Sequence, residues 1–152
     1  MTEAQNLSAR CGCGALELNI QGPPVVQLVC HCSDCQAFTA MPFSNIVFFK
    51  PDQYHVNGQA TTSTFKGNSG FDKTHYACAS CEAPVYVAVA VLNGAVAVIA
   101  SQLSGFTFEP EAHIWTSEKA DNVTIPAGVI QSPELPPKAL ADTMVSAFWH
   151  NQ

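Results

Sequence analysis

The stretch Cys30-His31-Cys32-Ser33-Asp34-Cys35 sets three thiols within six residues, and it limits this chain's folding more than any other feature. The other four of the seven cysteines come as two close pairs, Cys11 with Cys13 and Cys78 with Cys81. Such grouping suits a soft dication like Zn²⁺, which needs several thiolates at about 2.3 Å, and short spacings deliver them from one turn. Taking each pair whole, Cys11, Cys13, Cys78 and Cys81 make a closed, structural zinc site. Cys30, Cys32 and Cys35 are then a second zinc site, with a position left for water or substrate. Two zinc ions per chain are the expectation. Buried free thiols are the blander alternative, and the repetition of short spacings weighs against it.

An odd cysteine count argues against a disulfide framework, and Met1-Thr2-Glu3-Ala4-Gln5-Asn6 does not resemble a secretory signal. A reducing, cytoplasmic setting is therefore expected. With 152 residues, 47% of them apolar and 12% charged, the chain reads as one globular domain over residues 1–152. The net charge is −6 and Arg10 is the single arginine, which argues against nucleic acid or an anionic membrane as a partner. The apolar tract from Pro84 to Ala100 is split by Asn93-Gly94 and is too short for a spanning helix.

The pattern along the chain is mainly β. Strands are expected at Leu7–Cys11, Ala15–Ile20 and Val25–Cys30, the last two as a hairpin about Gln21-Gly22-Pro23-Pro24. A short helix capped by Ser33 or Asp34 follows the three-cysteine cluster and ends before Pro42. Further strands are expected at Phe43–Phe49, Tyr54–Val56, Thr61–Phe65, Lys73–Cys78 and Ile114–Thr116. Val85–Val91 and Ala95–Ala100 form a hairpin about Asn93-Gly94, central in a sheet. Ser117 to Pro137 is irregular chain over the sheets. A C-terminal helix is expected from Pro137 to Trp149, because Leu140, Met144, Ala147 and Phe148 recur near period 3.6.

Several residues are candidates for the chemistry. Asp34, His31 and His75 are possible proton carriers, although Asp34 reads first as a helix cap. A fourth ligand for the three-cysteine site would come from His75, His113 or His55 rather than His31, which lies between two ligands. Gly67-Asn68-Ser69-Gly70 is a hairpin turn or a lid, and Phe43, Phe48, Phe49, Tyr76 and Tyr86 are core before they are substrate wall.

In order and spacing, Cys11-Gly12-Cys13-Gly14-Ala15, Cys30-His31-Cys32-Ser33-Asp34-Cys35 and Cys78-Ala79-Ser80-Cys81 resemble the glutathione-dependent formaldehyde-activating enzyme (GFA) family, which includes centromere protein V. The resemblance spans roughly residues 9–116, leaving 117–152 as a C-terminal extension. It implies a β-tent of small antiparallel sheets, a structural zinc on Cys11, Cys13, Cys78 and Cys81, and a more labile zinc on Cys30, Cys32 and Cys35. The implied activity is that of a carbon–sulfur lyase, joining or splitting S-hydroxymethylglutathione, formaldehyde and glutathione. This chain has Gln36 where the family usually has a basic residue, Glu82 where it has glycine, and Thr74-His75-Tyr76 where it has arginine. Glutathione carries two carboxylates, so a chain with Arg10 and five lysines is expected to prefer a less acidic thiol or thiol–aldehyde adduct. The rival reading is a non-catalytic, zinc-stabilised β module that binds another protein.

Overall fold

The computed structural model describes residues 6–67 and 70–150. The first half of the chain gives β1 (Asn6–Arg10), β2 (Glu17–Gln21), β3 (Val26–Cys30), α1 (Ser33–Thr39), β4 (Ser44–Phe49) and β5 (Tyr54–Asn57). The second half gives β6 (Ala60–Lys66), β7 (Asp72–Cys78), β8 (Pro84–Val89), β9 (Val96–Ile99), β10 (Ala112–Ile114) and α2 (Lys138–Val145). A wider π-helical turn, Ser146–His150, continues α2. The strands make a three-stranded sheet, β1-β2-β5, and a seven-stranded sheet, β10-β3-β4-β9-β8-β7-β6. All pairings are antiparallel except that of β10 with β3. The fold is thus mainly β, with two helices, one of them C-terminal.

Period-two alternation in β4 explains the architecture. Val47 and Phe49 project into a core shared with Leu18 and Ile20 of β2 and Val96 and Val98 of β9. Ile46 and Phe48 project the other way, into a core shared with Ala97, Ile99, Met144 and Phe148. The middle of the large sheet is therefore buried on both faces, by the small sheet on one and by α1, α2 and the tail on the other, while the edge strand β6 is largely exposed. That is why Ile46-Val47-Phe48-Phe49 is an unbroken apolar run.

Gln21-Gly22-Pro23-Pro24 does not close a hairpin. β2 and β3 lie in different sheets, because Pro23 and Pro24 have no N–H to give to a ladder and the chain crosses from one sheet to the other there. Gln53 Nε2 donates to the carbonyls of Gln21 and Pro23 at 2.9 Å each, meeting the acceptors that the crossing strips of partners. The hairpin about Asn93-Gly94 does form, with both residues at positive φ (55° and 91°) and β9 in the middle of the sheet. The strand expected at Ile114–Thr116 sits earlier, at Ala112–Ile114, since Trp115 turns left-handed with φ 57°. Among the described residues no helix is long and apolar enough to cross a membrane.

Candidate metal centres

The four paired cysteines meet where the two sheets meet. Cys11 follows β1 of the small sheet and Cys78 ends β7 of the large one; both are buried, while Cys13 and Cys81 sit on exposed loops. The Sγ atoms of Cys11 and Cys13, and of Cys13 and Cys78, are 3.6 Å apart, and all four thiols converge within 4.8 Å of one another. Sulfurs about 2.3 Å from one tetrahedral ion lie about 3.8 Å apart, so this donor set fits zinc. A disulfide needs about 2.05 Å and is not formed at any of the seven. Backbone N–H groups point at the sulfurs: Leu16 N to Cys11 Sγ at 3.4 Å, and Ser80 and Cys81 N to Cys78 Sγ at 3.3 and 3.4 Å. Burial pushes the Cys11 thiol up, but the Leu16 N–H and the neighbouring thiols outweigh it and bring the pKa down to about 6.

The other three cysteines converge on the opposite face of the large sheet. Cys30 is the last residue of β3, Cys32 is the N-cap of α1, and Cys35 lies in the first turn of α1; all are buried. Cys32 Sγ takes the capping role assigned from the sequence to Ser33 or Asp34, accepting from Cys35 N at 3.3 Å. Cys30 and Cys32 Sγ are 3.3 Å apart, and among the described residues no histidine, aspartate or glutamate joins the three as a fourth donor. Thiol donation from Cys30 and Cys35, and then the charge of Lys73, pull the Cys32 pKa far down. Lys73 Nζ is 3.9 Å from Cys32 Sγ and 3.3 Å from Asp34 Oδ2. Burial disfavours its charge, yet Cys32, Cys35 and Asp34 more than compensate and raise its pKa. The three sulfurs and Lys73 border a pocket of about 150 Å³ whose other walls are carbon, Phe48, Val87 and Met144 among them.

Comparison with known proteins decides the family. The family model described as glutathione-dependent formaldehyde-activating enzyme matches residues 6–118. The chain belongs to the GFA family. No curated protein matches it. The crystal structure of a Rhodobacter sphaeroides protein, a structural-genomics target, is similar with a TM-score of 0.51 at 16% identity, covering 66% of this chain and 90% of that one. That likeness concerns the fold.

Within this GFA domain, Gln36 and Glu82 each hold a bend of the chain in place. Gln36 ties α1 to the chain after β10, its Nε2 donating to the carbonyls of His31 at 2.8 Å and Glu118 at 2.9 Å. Glu82 closes the Cys78 loop through its N–H to the Cys78 carbonyl at 2.9 Å, and it does so at φ 65°, where glycine would be unstrained.

The three candidate proton carriers do not meet at the pocket. His31 is fully buried, with Nε2 2.9 Å from His113 Nδ1, so these two histidines are engaged with each other. Burial, then the charge of His113, lowers the His31 pKa to about 4. His75 is stacked on Phe38 with ring centroids 4.1 Å apart and meets Phe65 edge-on at 4.9 Å. Asp34 is paired to Lys73, and His55 is exposed on β5 of the small sheet. Asn68 and Ser69 of the expected turn or lid lie outside the described residues; a Cβ on Gly67 would sit 3.4 Å from Asp34 Oδ2, so the loop begins beside the ion pair. Of the aromatic candidates, Phe48 is a pocket wall, whereas Phe49 and the stacked Tyr76 and Tyr86 belong to the other face.

Lys73 escaped the sequence reading. Its signal was its position two residues before His75 on one strand, which puts both on one face. Leu135, Pro136 and Met144, pocket walls from the tail, gave no comparable signal.

Proposed function

We propose that this GFA-family chain is a zinc-dependent carbon–sulfur lyase acting on a thiol–aldehyde adduct, with Cys30, Cys32 and Cys35 as its reacting centre. The observation that carries this reading is a buried three-thiol set, lacking a fourth protein donor among the described residues, at the wall of a pocket. Zinc held there would supply Lewis acidity, lowering the pKa of a thiol or polarising an oxygen. The residues of the chain do the rest. The end of β3 and the first turn of α1 fix the three sulfurs on rigid elements. Three thiolates around a dication leave one negative charge, and Lys73 Nζ at 3.9 Å from Cys32 Sγ balances it.

Lys73 can also donate a hydrogen bond to the adduct oxygen as that oxygen gains negative charge. In the splitting direction the adduct hydroxyl gives up its proton, its O–H electrons close the carbonyl, and the C–S bond breaks. The bonding pair leaves with sulfur, which takes up a proton; joining is the reverse. Carbon walls lower the polarity around the reacting atoms. Seven unpaired thiols favour a reducing compartment such as the cytoplasm as the place of work.

The test is formaldehyde release from S-hydroxymethyl thiol adducts by the zinc-loaded chain. Acceleration by the wild type, returning to the uncatalysed rate in Cys32→Ser, is the expected result. Equal rates with the two proteins would contradict the proposal, and a non-catalytic binding module would accelerate the reaction in neither.

A further inference from the structure

The pocket has a composition and an origin that bear on what it takes. It is bordered by Cys30, Cys32 and Cys35 on one side, and among its described lining residues Lys73 is the single charged side chain. Asp34 and the Cys32 sulfur take two of its three ammonium hydrogens, and the third is the one that serves the adduct oxygen. Among the described lining residues a buried ligand carboxylate would find no arginine and no second lysine to receive it, and an unpaired buried charge is strongly disfavoured. Glutathione would bring two.

Size points the same way. The cavity is about 150 Å³. A dry cavity of about 150 Å³ walled by leucine, isoleucine and phenylalanine is the size that admits benzene. A tripeptide cannot be enclosed whole in such a space, so most of it would lie outside the carbon walls.

Three of the walls, Leu135, Pro136 and Met144, come from beyond residue 118, where the match to the family model ends. This segment is a fixed part of the fold. Trp115 N donates to the Glu134 carbonyl at 2.9 Å and Thr116 N to the Ser132 carbonyl at 3.1 Å, holding the approach to Leu135 alongside the end of β10. Asn93 Nδ2, in the β8–β9 turn, donates to the Phe148 carbonyl at 2.8 Å, and the Phe148 ring lies 6.4 Å from that of Phe48. The tail is thereby pinned at both ends across the pocket.

We infer that the molecule handled at the three-cysteine centre has an uncharged apolar body of about six carbons on its thiol or adduct, and that Leu135, Pro136 and Met144 of the tail complete the chamber that selects it. The inference rests on the carbon–sulfur lyase reading and names the substrate class for it. Sulfur or oxygen faces the three cysteines and Lys73, while the carbon body fills the space between Phe48, Val87, Leu135 and Met144.

Calorimetric titration of the zinc-loaded full chain tests this with two thiols, benzyl mercaptan and glutathione. Benzyl mercaptan should bind at least about tenfold more tightly, the ratio that burying its ring makes readily attainable. Leu135→Asn, which adds polarity without charge, should erase that advantage while the zinc content stays that of the wild type; Leu135 is 52% exposed, so the substitution leaves the core packed. Cys32→Ser should abolish the benzyl mercaptan signal. Glutathione binding as tight as benzyl mercaptan binding, lost in Cys32→Ser, would overturn the inference and leave the lyase reading standing. Binding of neither thiol by protein carrying zinc on the three cysteines would overturn both.

Discussion

Glu82 shows how one backbone angle decides which residue suits a position. The loop that presents Cys78 and Cys81 must turn left-handed at this position, with φ 65°, to return the chain toward Ala83. That conformation costs a residue with a Cβ roughly 1–2 kcal/mol, and glycine avoids the cost. Glu82→Gly is therefore expected to stabilise the protein by about 1 kcal/mol, net of the larger freedom glycine gives the unfolded chain. In a thermal melt the midpoint should rise by about 2–5 °C for a domain of this size. A lower midpoint would mean that the Glu82 side chain contributes more than its backbone strain removes. Lys73 is the corresponding lesson for the second centre. Nothing adjacent to it in sequence advertises a partnership with Cys32, 41 residues away, because the sheet order that brings them together is a tertiary fact.

Among the elements, the strands that were legible are those whose burial follows a simple period. β2 is buried at Leu18 and Ile20 and open between them, and the β8–β9 hairpin carries an Asn-Gly turn. Pairing was less legible than existence: β2 and β3 are adjacent in sequence and belong to different sheets. The cap of α1 was misassigned for a different reason, since the usual oxygen acceptors Ser33 and Asp34 stand next to a cysteine whose sulfur does the capping. The two cysteine groups were legible because metal chemistry demands sequence-local donors, and the structure brings together the same four and the same three.

These placements give the two groups different mechanical roles. The group of four ties the end of β1 to the end of β7, one in each sheet, whereas the group of three spans only β3 and α1. A structural zinc contributes folding free energy on the order of 10 kcal/mol, comparable to the whole stability of a domain. Cys13 is exposed, so Cys13→Ser removes a ligand without opening a cavity, and it should abolish the cooperative thermal transition. Cys32→Ser keeps an oxygen able to cap α1, and its melt should stay cooperative with a modestly lower midpoint. Equal losses in the two variants would reverse the assignment of structural and reactive sites.

At the scale of the whole molecule, one sheet separates two cysteine groups, each able to hold a metal ion. On the face covered by β1, β2 and β5, two buried and two exposed thiols fit a closed four-sulfur centre. On the face covered by α1, α2 and the tail, three buried thiols share a pocket with Lys73. A four-thiolate centre has no position left to exchange, while a three-thiolate centre is open to water, substrate or a chelator. Unequal metal retention follows directly. Native mass spectrometry of the full chain, supplied with zinc at neutral pH and then treated with a mild chelator, reads this most directly. Two zinc ions before treatment, one after it, and one throughout in Cys32→Ser is the predicted result; a single metal in every wild-type sample, or a mass showing disulfides in place of zinc, would contradict it.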